Sequence, residues 1–391
     1  MTSSLVPSPL NLQRLPENGT APSVNYEIIP IPPSRVLAQM WRDLEARSDA
    51  HFFLSWDWIG CWLEHITATP ALLVGRVEDR IVLLGALVPA QRREIILLTF
   101  PGLHLHTTGT DQDIITIEYN GFLVDRAWAG RVERDAIAFL LSGVTVDGRR
   151  RDELHLKNVL QPHFGEFQNS AVYRVELARK PSWRVDLAAI RATGKSFLDH
   201  LSANTRYQIR RSMRLYERQG KLVATRARDL GEAMRFMDGL KVLHQAYWVA
   251  RGEPGAFAYP FFDAFHRSLI ARCLPHGGVE VVRVNCGAQP IGYLYNFVYR
   301  GQVYAYLSGF DYPADAKFKP GLINHCLCIE LHLQEGAAVY DFMAGDARYK
   351  ANLGAPGPDM FYYLLLRRTP LTRFENMLRQ VKRRVEKFLR M

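Results

Sequence analysis

Residues Gln302 to Lys350 admit few folds. QVYAYLSGFDY reads as a strand, with Val303, Ala305 and Leu307 on one face and Tyr304 and Tyr306 on the other. The loop PADAKFKP leads into GLINHCLCIELHLQEG, a helix with Pro320 near its first position and Gly336 just past its end. AAVYDFM follows as a second strand, and the polar turn AGDARYK closes the unit. A strand that feeds a Pro-Gly helix start leaves bare backbone N–H groups at the positive end of the helix dipole, where an anion can sit. Lys317 and Lys319 stand just before that start and add charge.

The rest of the chain reads as two halves with one element order. YEIIPI is a strand; SRVLAQMWRDLEARS and FFLSWDWIGCWLEHI are helices that begin at Ser34 and Ser55. Phe53, Trp56, Ile59, Trp62 and Leu63 recur at helical spacing, which makes them core. Three strands over residues 71–102, a helix near Arg131 to Leu141, and the strands ELHLKNVL and SAVYRVEL complete the half. The second half follows a linker and the basic helix NTRYQIRRSMRLYERQG. It runs strand KLVATRAR, two helices, three strands, the helix after Pro320, strand AAVYDFM and strand DMFYYLLLRR. Repetition of one order predicts a mixed α/β chain, with two copies of one fold side by side. The expected boundaries are a disordered leader over 1–24, a first unit over 25–180, a linker and basic helix over 181–220, a second unit over 221–369, and a basic amphipathic helix over 370–391.

Charge narrows the classes of function. The net charge is +10, and it is concentrated. Residues 206–221 hold six Arg or Lys against one Glu, and residues 367–391 hold nine against two. On the first helix Arg206, Arg210, Arg214 and Arg218 form one stripe, whose guanidinium forks suit phosphate or carboxylate. Aromatic residues are not interleaved on that face, which argues against nucleic acid as a general partner. The last helix sets Leu371, Phe374, Leu378 and Val381 against a basic face, fit for peripheral contact with an anionic membrane surface. Five scattered cysteines form neither a disulfide framework nor a metal-ligand pattern; they predict packing roles, no metal, and the reducing cytoplasm. The pattern Ala189 to Ser196 lacks the first glycine of a nucleotide-binding loop and reads as linker.

Taken with the helix start, the polar turn defines the expected chemistry. The helix start reads as a pyrophosphate seat for coenzyme A, with Lys317, Lys319, Gly321 and Leu322, and the chain as an acyltransferase. Acyl transfer needs a base for the acceptor and an acid for the leaving thiolate. Tyr349 is the candidate acid, and Asp341 or Asp346 the candidate base. Arg206, Arg210, Trp248 and Lys350 are candidates for substrate contacts.

LSANTRYQIRRSMRLYERQG, PGLINHCLCIELHLQEG and YDFMAGDARYKANLG resemble the acetyltransferase-like group linked to bacterial cellulose and exopolysaccharide synthesis, the CelD type. That group is similar to the Fem peptidyltransferases, and both have tandem GNAT folds. The resemblance spans roughly Trp41 to Leu366 and centres on the DFxxGxxxYK pattern. It implies acetyl-CoA or a longer acyl-CoA in the second unit, with pantetheine between splayed strands at 302–311 and 337–343. The thioester carbonyl would be held by a backbone N–H near Leu307, Ser308 or Gly309, with a bulge at Ser308–Gly309. The acceptor would be a sugar, polysaccharide or cell-envelope precursor. Lys317 to Leu322 keeps one glycine of the GNAT phosphate loop, so aminoacyl-tRNA, as in the Fem enzymes, is the alternative donor, and a non-catalytic envelope-assembly factor the third reading. The first unit has no comparable helix start, and TTGTDQDIITIEYNG serves acceptor binding or structure.

Overall fold

A computed structural model describes residues 23–95, 98–160, 171–374 and 377. The expected leader, but for its last two residues, lies outside these. So does the C-terminal basic helix, but for 370–374 and 377. The elements read from sequence recur in their order, but the expected linker adds a strand and a short helix, and the expected polar turn runs into a short helix over Arg348–Leu353. The first half comprises β1 (Asn25–Pro30), α1 (Ser34–Glu45), α2 (Trp56–His65), β2 (Ala71–Val77), β3 (Arg80–Ile95), β4 (Leu98–Leu105), α3 (Arg131–Leu140), β5 (Glu153–Leu160) and β6 (Val172–Lys180). Next come β7 (Ser182–Asp186), α4 (Leu187–Ala192) and the basic helix α5 (Ala203–Glu217). The second half comprises β8 (Leu222–Arg226), α6 (Leu230–Val249), α7 (Pro260–Cys273), β9 (Val279–Cys286), β10 (Gln289–Tyr299), β11 (Gln302–Phe310), α8 (Pro320–Gln334), β12 (Val339–Ala344), α9 (Arg348–Leu353), β13 (Ala355–Pro356) and β14 (Met360–Arg367).

The two sheets share one topology. The first runs β1-β2-β3-β4-β5-β14-β6 and the second β8-β9-β10-β11-β12-β7-β13. In each, the fourth and fifth strands are parallel and the other pairs antiparallel. The sixth position is exchanged. β14 does not complete the second unit, as its place in the chain led us to expect; it pairs with β5 and β6 in the first sheet. In return β7, within the expected linker, pairs with β12 in the second. The pattern of β14 gives no hint of this, because a strand buried on both faces presents the same pattern to either sheet.

The units share a core. Phe53, Trp56, Ile59 and Trp62 of the aromatic stripe are buried, and Leu63 is half-buried. Phe52 stacks on Phe297 at 4.5 Å, and Trp58 meets Phe265 edge-on at 5.0 Å, so first-half aromatics pack on second-half strands and helices. Each such side chain contributes roughly 1.5–3 kcal/mol on burial. Glu45 fixes the seam with hydrogen bonds from the Trp56 amide (2.7 Å) and the Tyr299 hydroxyl (2.8 Å). The Ser55 hydroxyl accepts from the Trp58 amide and caps α2, as its sequence position requires. α1 instead starts one residue after Pro33, without a side-chain cap.

β14 lies inside the first sheet, so a chain ending at Pro358 leaves β5 and β6 without their shared neighbour. We expect it to lose the cooperative thermal transition in circular dichroism. A chain ending at Thr369 keeps β14 and should keep the transition. Equal cooperativity of the two truncations would show that β14 is dispensable.

Candidate active site

β11 and β12 pair over three positions only: Gln302 with Val339, Val303 with Tyr340, and Tyr304 with Asp341. Beyond these they part, for a reason visible on each strand. On β11 one residue is inserted at Tyr306, because Tyr295 faces Leu307 whereas Asn296 faces Ala305. Such a bulge bends its strand and raises its twist. The bulge expected at Ser308–Gly309 therefore lies at Tyr306, whose hydroxyl is anchored on the Ile115 carbonyl of the first unit. On β12 the Asp341 carboxylate accepts from its own neighbour, the Met343 amide, at 2.6 Å, and Met343 adopts a left-handed φ of 57°. That turns the strand away from β11.

A cleft of about 900 Å³ opens where the strands part. Ser308, Gly309 and Phe310 form one wall, the start of α8 (Lys319, Gly321, Leu322) another, and Tyr349 and Asn352 of α9 a third. Asn204 and Gln208 of α5 and His244, Tyr247 and Trp248 of α6 complete it. The Asp311 amide donates to the Ile291 carbonyl at 3.1 Å, which sets the phase of the ladder. Leu307 and Gly309 then turn their amides to β10, while Ser308 and Phe310 turn theirs toward the gap. Gly309 is where α6 closes in: a Cβ there would stand 2.5 Å from the Leu240 carbonyl oxygen and 3.1 Å from the His244 nitrogen. At α8 the Lys319 amide is held by the Ser212 hydroxyl (2.8 Å). The Gly321 and Leu322 amides have no acceptor among the described residues, as the first turn of a helix requires.

The first unit parts its strands in the same place and fills the gap. β4 and β5 pair from Gly102–Glu153 to His104–His155. Beyond, the Asn120 amide donates to the Asn158 carbonyl (3.0 Å), the Asn120 side chain to the Leu105 carbonyl (2.9 Å), and the Asn158 side chain to the Ile117 carbonyl (2.8 Å). TTGTDQDIITIEYNG thus closes a space that the second unit leaves open.

Behind the cleft lies a buried charged cluster at the seam. Asp341 accepts from the Tyr119 hydroxyl at 2.7 Å, and Glu118 accepts from the Ala344 amide at 2.8 Å. Burial pushes the Glu118 carboxyl up to about 7 and the Asp341 carboxyl up to about 6, while hydrogen bonds and Lys350 pull both the other way. Lys350 donates to the Phe342 and Ala344 carbonyls at 2.7 and 2.6 Å, and burial lowers its pKa. Lys350 therefore fastens α9 to β12 and positions Tyr349, one residue away.

The expected site residues divide on this geometry. Ser308, Gly309, Lys319, Gly321, Leu322, Trp248 and Tyr349 all line the cleft. Tyr349 stacks on buried His325 at 5.2 Å, and burial raises its hydroxyl well above the usual range. Leu307, Lys317, Arg206, Arg210, Lys350, Asp341 and Asp346 do not line it. Arg206 and Arg210 turn to Asp199, because Asn204 and Gln208, on a different side of α5, face the cleft. Asp341 is locked in the seam and Asp346 is exposed, so this placement supports neither as a base. The five cysteines are buried and unpaired. His244, Tyr247 and Tyr312 escaped the sequence reading. His244 and Tyr247 lie four and one residues before Trp248, and the helical interval from Trp248 points back to His244.

Comparison with known proteins agrees with this architecture. Residues 203–351 match the family described as an acetyltransferase (GNAT) domain. The solved structure of FemX superposes with a TM-score of 0.56 at 9% identity, over 89% of this chain and 99% of FemX. A protein of unknown function from Bacteroides thetaiotaomicron VPI-5482 gives 0.50 at 10% identity, over 85% of this chain and 97% of that one. At these identities the likeness is one of fold. No curated protein matches this chain in sequence. The second unit carries a GNAT-type acetyltransferase fold, and the shared topology of the sheets extends it in tandem to the first.

Replacing Asp341 by Leu strips the Tyr119 hydroxyl and Met343 amide of their acceptor. We expect a loss of about 2–4 kcal/mol in urea unfolding, and clearly less for Asp341→Asn, which keeps one oxygen. Equal stability of the Leu variant would remove Asp341 from the seam.

Proposed function

We propose that this chain is an acyl-CoA-dependent N- or O-acyltransferase whose acceptor is a sugar, polysaccharide or cell-envelope precursor. One observation carries the reading: the cleft opens where β11 and β12 separate, with unpaired first-turn amides of α8 at one end and the Ser308 amide on its wall. The Gly321 and Leu322 amides and Lys319 suit a pyrophosphate, since amides at the positive helix end and an ammonium group both favour an anion. The Ser308 N–H is aimed where a thioester carbonyl would lie in the gap. There it would stabilise the oxyanion that forms as the acceptor attacks. Tyr349 is the proton donor for the departing thiolate. The aromatic faces of Tyr247, Trp248 and Tyr312, beside the amides of Asn204, Gln208 and Asn352, offer apolar contact and hydrogen bonds together, which a polyhydroxylated ring uses. Among the described residues no helix is long and apolar enough to cross a membrane.

Titration calorimetry with acetyl-CoA tests the donor. We expect micromolar binding, weakened at least about tenfold in Gly321→Asp, where a carboxylate stands against the pyrophosphate. Gly321→Ala separates bulk from charge: its Cβ meets the Phe310 ring at 3.2 Å and should cost far less affinity. No binding to folded wild type at millimolar acetyl-CoA would discard the reading.

Tyr349→Phe should leave acetyl-CoA affinity within about twofold and lower turnover about 10²-fold, the range for loss of a general acid. Wild-type turnover would take Tyr349 out of the acid role.

A further inference from the structure

Among the described residues, one buried side chain that lines the cleft has no hydrogen-bond partner for its polar atoms. His244 on α6 is 6% exposed and lines the cleft, and neither ring nitrogen has a hydrogen-bond partner. Buried polar groups ordinarily find a partner, because leaving one unpaired forfeits its hydration with nothing in return. Packing holds the ring in place: Phe257 meets it edge-on at 5.5 Å, and Trp248 at 6.0 Å. A Cβ on Gly309 would stand 3.1 Å from its backbone nitrogen, so α6 crosses at the segment that turns the Ser308 amide to the gap, and both line the cleft.

We infer that His244 is the base of the transfer reaction, accepting the proton of the acceptor's attacking amine or hydroxyl. The assignment rests on the proposed acyl-CoA reading and fills the role that Asp341 and Asp346 leave open. The acceptor's nitrogen or oxygen forms a bond to the thioester carbon and loses its proton to an imidazole nitrogen. The C–S bond then breaks, and the departing sulfur takes a proton from Tyr349. Solvent returns that proton from the imidazolium to the phenolate, so one acyl group leaves coenzyme A and one free thiol appears. Burial lowers the His244 pKa to about 4, so the ring is neutral and able to accept a proton at physiological pH. The charged or titratable groups that share the cleft with it are Tyr247, Tyr312, Tyr349, Lys319 and Arg348, with no carboxylate among them.

The test uses the full chain with ¹³C-labelled histidine, and assigns the His244 Cε1–H resonance by its loss in His244→Gln. We expect that resonance to hold its neutral-imidazole position from pH 8 to 5.5 and to move when acetyl-CoA is added to saturation. Hydroxylamine serves as the acceptor probe, with release of free thiol as the rate. His244→Gln and His244→Phe should bind acetyl-CoA within about twofold of wild type and release thiol about 10²-fold more slowly. The Phe variant keeps the ring's bulk, so a purely packing role predicts no loss there. A resonance unmoved by bound acetyl-CoA, thiol release in His244→Phe at the wild-type rate, or no acceleration by a wild-type chain that binds acetyl-CoA would each overturn the assignment of His244 alone. Failure of wild type to bind acetyl-CoA would overturn the donor and, with it, His244.

Discussion

The parting of β11 from β12 is the constraint on which the rest depends. Two parallel strands that stay paired leave no room between them, since neighbours lie less than 5 Å apart. Here pairing stops after three positions because each strand is deflected by a local device tied to the first unit. The bulge at Tyr306 is pinned through the Ile115 carbonyl, and the kink at Met343 begins from Asp341, which the Tyr119 hydroxyl holds. The opening is thus set by the seam between the units and not by the second sheet alone. This gives the charged cluster at Glu118, Asp341 and Lys350 its structural sense: it holds the back of the opening rigid while the front stays free.

The first unit shows what the same topology does without that opening. Its fourth and fifth strands also diverge, but the side-chain amides of Asn120 and Asn158 take up the backbone groups left over. A gap between strands exposes orphan N–H and C=O groups, which must find partners. In one unit the chain supplies them; in the other the Ser308 and Phe310 amides and the start of α8 are left for something else. The division of labour between near-identical topologies follows from that single difference.

Much of this was legible in the sequence, because it rests on local signals. Periodicity gave the order of elements, Pro320 and Gly321 marked the helix start, and the DFMAGDARYK turn placed Tyr349 beside the cleft. The exchange of β14 and β7 was not, and neither were three features of the site. The bulge was expected at Ser308–Gly309 since glycine marks bulges, but Gly309 answers to the close approach of α6, a long-range contact. The Arg206 stripe drew attention to the charged face of α5, whereas the uncharged Asn204 and Gln208 face the cleft. His244 carries no motif, and only the absence of partners in three dimensions singles it out.

The exchange of the sixth strands has a consequence for how the molecule comes into being. On the ribosome the amino-terminal half emerges first, yet its sheet has a vacancy between β5 and β6 that is filled only by residues 360–367. That half must wait, nearly complete, for almost the whole remainder of the chain to be synthesised. Contacts so distant along the polymer make for slow assembly. Until the last strand arrives, the exposed borders of β5 and β6 are open to pairing with the wrong chain.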